Sequence, residues 1–275
     1  MSGKDLNELT KKCENEAKKV ITYMSANKLA ANDDKTHIMA IKRNGEKNQI
    51  AVQVGTKVIK ESPHEKLLGM HVENNLTWTT HIKKLESKLK HRLFSLRRLS
   101  EIMPKRYLKP IADGIFMSVL RYGMPAYCPV RMKEDEPKHG SIDRLRVVFN
   151  DCLRLLTNKK RTDHVKIEDM LKELDWISIN QLCAETRLLE AWKTTHEENY
   201  CMQDLLKRRE KSGHISTRWN EQNLFQTSQD DRFSNGSFVQ KTTKIWNISP
   251  KSVKEAKTLS EAKRAIRLFV KSLPI

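Results

Sequence analysis

Gln49-Ile50-Ala51-Val52-Gln53-Val54-Gly55-Thr56-Lys57-Val58-Ile59 decides the fold class. Strict alternation puts Ile50, Val52 and Val54 on one side of an extended chain, and that spacing suits a half-buried strand. Gly55-Thr56 can turn the chain, and Lys57-Val58-Ile59 returns as a second strand. Upstream, Leu6, Leu9, Cys13, Ala17, Val20 and Met24 recur at alternating three- and four-residue steps. That period predicts an amphipathic helix over Lys4 to Ala26, with Lys11, Lys12, Lys18 and Lys19 on its other faces. Asn27 is a natural stop because Asn tolerates the left-handed conformation that ends helices. His37 to Ile41 is a short β-prone run, and Lys66 to Val72 is a further strand candidate. The N-terminal part is therefore α+β.

Downstream of His81 the period changes and the chain becomes mostly α-helical. Ile82, Leu85, Leu89, Leu93, Leu96 and Met103 form an apolar stripe. The other faces carry Lys83, Lys84, Lys88, Lys90, Arg92, Arg97 and Arg98, against only Glu86 and Glu101. Pro104 breaks this helix, and a second runs from about Arg106 to Tyr122, ended by Gly123 and Pro125. Lys133 to Gly140 is polar, holds Pro and Gly, and is the best linker candidate. Helices are predicted over Ile142 to Leu156, Lys166 to Leu174, Ile179 to His196 and Leu259 to Leu273. Glu210 to Ser237 is polar and reads as a long loop. Trp176, Trp192 and Trp246 sit in apolar contexts that suit core anchors.

The chain has 275 residues and a formal net charge of +18. So large an excess attracts polyanions, and nucleic acid is the default partner. The five cysteines include no CxxC pair, which argues against a disulfide framework and a zinc knuckle and fits a reducing, intracellular compartment. No apolar h-region opens the sequence, and no uncharged apolar stretch approaches membrane-spanning length.

Four stretches carry a resemblance. The first is Tyr23-Met24-Ser25-Ala26-Asn27-Lys28-Leu29-Ala30-Ala31-Asn32-Asp33-Asp34-Lys35-Thr36. The second is Leu68-Gly69-Met70-His71-Val72-Glu73, followed by Leu76-Thr77-Trp78 and His81-Ile82. The third is Leu120-Arg121-Tyr122-Gly123-Met124-Pro125-Ala126-Tyr127. The fourth is Ser237-Phe238, Ile245-Trp246-Asn247 and Pro250. Together they resemble the reverse transcriptases of jockey- and CR1-like non-LTR retrotransposons from motif D onward. The Tyr23 to Thr36 stretch resembles the aromatic–NKL–N-x-x-K-T pattern of motif D, with Tyr23 for Trp. The stretch from Leu68 resembles the primer-grip segment, motif E, with Glu73 for Asp. Leu120 to Tyr127 is similar to the LxYG-x-x-x-W stretch of the thumb, with Tyr127 for Trp. The fourth stretch is similar to the closing SF…WN-x-x-P block.

The resemblance implies a division of the chain. Residues 1–80 would be the end of a polymerase palm and 81–132 thumb-like helices. A helical C-terminal domain over 133–209, a flexible loop over 210–237 and a closing segment with a terminal helix over 238–275 would follow. It implies motif D roles for Asn27, Asn32, Lys35 and Thr36, with Lys35 placed to serve a triphosphate, and a primer grip at Leu68 and Gly69. The cations Lys83, Lys84, Lys88, Lys90, Arg92, Arg97, Arg98, Lys105, Arg106 and Lys109 would face RNA, DNA or an RNA–DNA hybrid. The motif A and YADD carboxylates of that family are not found in this sequence. The expectation is then no catalytic or metal-binding residues, no polymerase activity from this chain alone, and Mg²⁺ only if an upstream palm is supplied. His71, Glu73 and His81 read as structural residues rather than metal ligands. A rival expectation is a protein-interaction module, in which an uncovered sheet edge invites self-association and the basic charge is incidental.

Overall fold

The computed structural model describes residues 5–41, 49–55, 57–136, 140–198, 200–206, 223–224 and 238–275. The chain is mixed α+β, 62% helical with two small antiparallel sheets. It divides into two compact units, 1–81 and 82–275.

In the first unit, helix α1 (Leu6–Ala26) starts at Asp5, whose carboxylate accepts from the Asn7 amide at 2.9 Å. This satisfies one of the free amides of a helix N-terminus. The helix ends in two reverse hydrogen bonds, Leu29 N to Met24 O at 2.8 Å and Lys28 N to Ser25 O at 3.0 Å. The stop falls at Asn27 as the sequence predicts, but the left-handed residue is Lys28, with φ 58°. Asn27 contributes differently, donating its side-chain amide to Tyr23 O at 2.8 Å.

Strands β1 (Ala51–Val54) and β2 (Lys57–Lys60) pair as the alternation predicts, turning at Gly55 with φ 60°. Ile50, Val52 and Val54 are buried against Leu6, Leu9, Cys13, Ala17 and Ile21 of α1. The sequence stripe is corrected at one position: Ile21 packs there, whereas Val20 is exposed. A 3.6-residue period drifts round the helix, so a stripe passing through Ala17 reaches the position four residues on rather than three. The run His37 to Ile41 forms only an isolated bridge, Ile38 to Glu61.

Lys66 to Val72 is also corrected. It is not one strand but the heart of a hairpin, β3 (His64–Leu67) and β4 (Met70–Glu73), turning at Leu68-Gly69. Both turn residues have positive φ, 48° and 84°. A two-residue hairpin demands this, and it costs nothing for Gly but strains Leu. The leucine obscures the turn in the sequence, because residues of its type rarely adopt such a backbone.

Helix α2 (Thr79–Ile102) runs into the second unit. Its stripe, Ile82, Leu85, Leu89, Leu93 and Leu96, is buried throughout. Pro104 starts α3 (Lys105–Ala112), which continues through a wider π-helical turn, Asp113–Met117, into α4 (Ser118–Arg121). Gly123, with φ 65°, then begins a short helix α5 (Met124–Tyr127), so Pro125 lies inside a helical turn rather than ending one. Helices α6 (Gly140–Thr157), α7 (Ile167–Glu173) and α8 (Ile179–His196) follow closely the ranges read from sequence. Two further helices, α9 (Phe238–Ile248) and α10 (Lys251–Lys254), precede α11 (Leu259–Val270).

The central element is α8, packed by α4, α5, α9 and α11. Ser178 and Gln181 form a reciprocal cap at its start. Gln181 also donates to Leu273 O at 3.0 Å, and Asn180 donates to both Arg131 O and Pro274 O at 2.9 Å. One helical turn thus fastens the end of α11 and the segment after α5. The expected linker after Arg131 is corrected by the same region. Arg131 is buried and donates to Glu134 O at 2.7 Å and Glu136 O at 3.1 Å, pinning residues 134–136 as a packed turn. Polar composition suggests a free linker; those polar groups serve the turn. Residues 137–139 lie outside the described residues, as does the predicted loop 210–237 apart from Asn223 and Leu224. Trp176, Trp192 and Trp246 are buried.

Candidate nucleic-acid interface

Helix α2 builds a cationic face by periodicity alone. Lys83, Lys90 and Arg97 recur at heptad spacing and line up along one flank of the buried leucine stripe, while Lys84, Lys88 and Arg92, four residues apart, run along the other. All six are exposed, as are Arg98, Lys105 and Arg106. From Lys83 to Arg97 the row extends about 21 Å at the helical rise of 1.5 Å per residue. Lys83, Lys88, Arg92, Arg97 and Lys105 make no ion pair among the described residues.

Others of the group are partly committed. Lys90 binds Glu86 at 2.7 Å, and Arg144 of α6 reaches the same carboxylate at 3.5 Å. These cations hold the Glu86 carboxyl below the ordinary carboxylate range, the Lys90 hydrogen bond contributing most. Lys109 is half-buried and lies 3.4 Å from Asp113. Nothing in the sequence points to Arg144, since its place beside Glu86 depends on how α6 packs.

Two aromatics sit among these cations. Phe94 is 59% exposed with the Arg98 guanidinium 5.7 Å above its ring, and Tyr107 is 46% exposed with Arg106 at 4.8 Å. Exposed rings interleaved with cations suit base stacking beside a phosphate backbone. Counting charges misses both rings; their spacing relative to the leucine stripe is the signal that could have revealed them.

The motif D match lies in the first unit. Asn32 Oδ1 accepts from the amides of Asp34 and Lys35 at 3.0 and 3.2 Å, and Thr36 Oγ1 donates to Asn32 O at 2.9 Å. Asn32 thereby caps the single 3-10 turn Asp33–Lys35. Asp34 bonds Lys57 at 2.8 Å, and that bond and charge hold its carboxyl below the usual value. Lys35 is exposed. Leu68 and Gly69, matched to the primer grip, lie at the hairpin tip, and Leu68 is 79% exposed.

No protein-family model, curated protein or solved structure matches this chain.

Among the described residues no group of three or more His, Cys, Asp or Glu is placed to hold a metal ion, and no helix is long and apolar enough to cross a membrane. His71 and His81 do meet, the His71 amide donating to His81 Nδ1 at 3.3 Å. Burial, and then the charge of His71, holds the His81 pKa below its usual value. Glu73 serves a different purpose. It accepts from the Thr79 amide at 2.9 Å, the Thr80 amide at 3.0 Å and the hydroxyls of Thr77 and Thr80. It therefore caps α2 and ties down residues 74–78, where Leu76 and Trp78 have φ of 55° and 60°. Partial burial raises the Glu73 pKa, but these hydrogen bonds outweigh it and leave the value lowered.

Replacing Glu73 by Ala is expected to destabilise this corner by about 1–2 kcal/mol, the usual value of a lost cap. The pH dependence has a definite sign. A carboxyl with a lowered folded-state pKa stabilises fully above its unfolded pKa and loses that contribution as pH falls through the folded value. Chemical denaturation of wild type and Glu73→Ala should therefore differ fully above the ordinary carboxyl value and converge only as pH falls through the lowered folded-state value. A difference that persists undiminished at low pH would contradict the capping role.

Proposed function

We propose that this chain is part of a non-LTR retrotransposon reverse transcriptase, comprising motif D onward with thumb-like helices, and that α2 is its nucleic-acid-binding element. The observation that carries the binding reading is the exposed double row on α2 and the start of α3, where Lys83, Lys88, Arg92, Arg97 and Lys105 make no ion pair among the described residues and Arg98 and Arg106 lie over aromatic rings. The resemblance of the four sequence stretches supplies the rest. Contacts of this kind are to phosphate, so they grip RNA, DNA or a hybrid with little sequence preference. The motif A and YADD carboxylates of the resembled family are not found in the sequence. The reading therefore assigns this chain a binding role and no nucleotide transfer by itself, and magnesium-dependent primer extension by the purified chain would overturn that part.

Self-association is the weaker reading. The outward amide of Gln53 on β1 is already taken by the Glu14 carboxylate at 3.1 Å, which blunts that sheet edge.

The test is fluorescence anisotropy of a labelled hybrid duplex titrated at several salt concentrations. Each neutralised phosphate releases counterions, so log K should fall linearly with log salt, with a slope of about −4 if the five free cations engage. A flat salt dependence, or no binding at low salt, would refute the assignment.

A further inference from the structure

A second recognition feature lies in the C-terminal part of unit 82–275, far along the sequence from α2. Asn247, on α9, holds the backbone of a single residue by both of its hydrogen-bonding groups. The Leu224 amide donates to Asn247 Oδ1 at 2.9 Å, and Asn247 Nδ2 donates to Leu224 O at 3.1 Å. A side-chain amide used in this way imitates the neighbouring strand of a sheet. The Leu224 side chain is 1% exposed, so the clamp lies beside a pocket that leucine fills.

The residue before it is read as well. Lys254, from α10, is 6% exposed and donates to Asn223 Oδ1 at 3.0 Å and to Asn247 O at 2.9 Å. No carboxylate lies within ion-pairing distance of its ammonium among the described residues. Burial holds its pKa below the usual lysine value. A buried lysine committed to neutral oxygens is costly for a fold and is better explained by recognition than by stability. Asn223-Leu224 thus makes three distinct contacts: one side-chain acceptor, one pair of backbone bonds and one buried leucine.

We propose that the Asn247–Lys254 corner is a peptide-docking site for extended segments carrying an acceptor side chain followed by leucine, and that Asn223-Leu224 occupies it in cis as an internal competitor. Nothing in the contacts requires the peptide to come from the same chain, since one side-chain acceptor, the backbone of one residue and one leucine carry them. The occupant expected in trans is a linear peptide of a partner protein with the same polar–leucine pair. The cis segment competes at high effective concentration and keeps weak ligands out. This site is independent of α2 and of the nucleic-acid reading.

The test uses the full chain and a fluorescein-labelled peptide with the sequence of residues 219–229. In a chain with the cis segment disabled by Asn223→Ser and Leu224→Ser, the peptide should bind at least ten times more tightly than to wild type. Asn247→Ala added to that background should remove at least ten-fold of the affinity. A peptide with Asp in place of the leucine should not bind. Equal affinity for wild type and the disabled chain, or unimpaired binding of the Asp peptide, overturns the proposal. If the disabled chain does not fold, the wild-type chain still decides: excess peptide should speed hydrogen exchange at the Leu224 amide at least ten-fold. Unchanged exchange at saturating peptide overturns the proposal.

Discussion

Changing Lys83, Lys88, Arg92 and Arg97 together to Gln should weaken binding to a hybrid duplex by on the order of 10³-fold at about 0.1 M salt. The figure follows from counterion release, in which each lost phosphate contact removes about 0.7–0.9 from the salt slope and so a factor of roughly five to eight at that concentration. The slope itself should flatten by about 3. These four side chains are exposed and make no ion pair among the described residues, so their loss should leave the melting temperature nearly unchanged. Changing Lys90 and Lys109 instead should matter less, since Glu86 and Asp113 already neutralise them in part. Anisotropy titrations at three salt concentrations separate the cases. Full-strength binding by the quadruple variant would remove α2 from the interface and favour the interaction-module reading.

The largest loss of stability is expected at Arg187. This α8 side chain is 1% exposed, donating to Cys128 O at 3.0 Å and Phe238 O at 3.2 Å, with the Phe238 ring 5.4 Å away. It joins the segment after α5 to the start of α9, and its Nε finds no partner among the described residues. Arg187→Ala removes the charged donor shared by two carbonyls, leaving Cys128 O with only the Cys183 thiol, and opens a cavity, for a loss of about 3–5 kcal/mol. Arg187→Met keeps most of the volume and should cost less, about 2–3 kcal/mol, because only the charged hydrogen bonds are lost. Urea denaturation followed by tryptophan fluorescence checks both. If Met proved as costly as Ala, lost packing could not be the difference between them. A negligible cost for either would mean the carbonyls had found other donors.

The parts of this fold visible in the sequence are those that depend on periodicity. The β1–β2 alternation, the α1 and α2 stripes and α8 depend on repeats of two and of 3.6, and short-range order fixes them. What escapes is decided by backbone conformation or by distant partners. Leu68 occupies a turn position that usually needs Gly or Asn, so the hairpin reads as one strand. Residues 134–136 look like a linker until Arg131 binds their carbonyls. Helix α9 begins beside a polar stretch and is framed by buried Thr242 and Thr243, residues that weaken a hydrophobic pattern. For the interface, the cations are legible as a row. Their division into free and committed members is not, because Glu86 chooses its partners only after α6 has packed.

The π-helical turn at Asp113–Met117 lets Asp113 accept from the Trp176 indole at 3.0 Å while Phe116, Met117 and Leu120 stay buried further along the same continuous rod. One surplus residue in the winding makes both possible. A one-residue deletion in an evenly wound stretch would turn everything beyond it by about 100°. Inside this widened turn the same deletion would instead restore even winding, and Phe116, Met117 and Leu120 would stay close to their present register. A codon lost at Gly114 is therefore expected to be far milder than one lost in the middle of α8, because the winding already carries the slack that absorbs it.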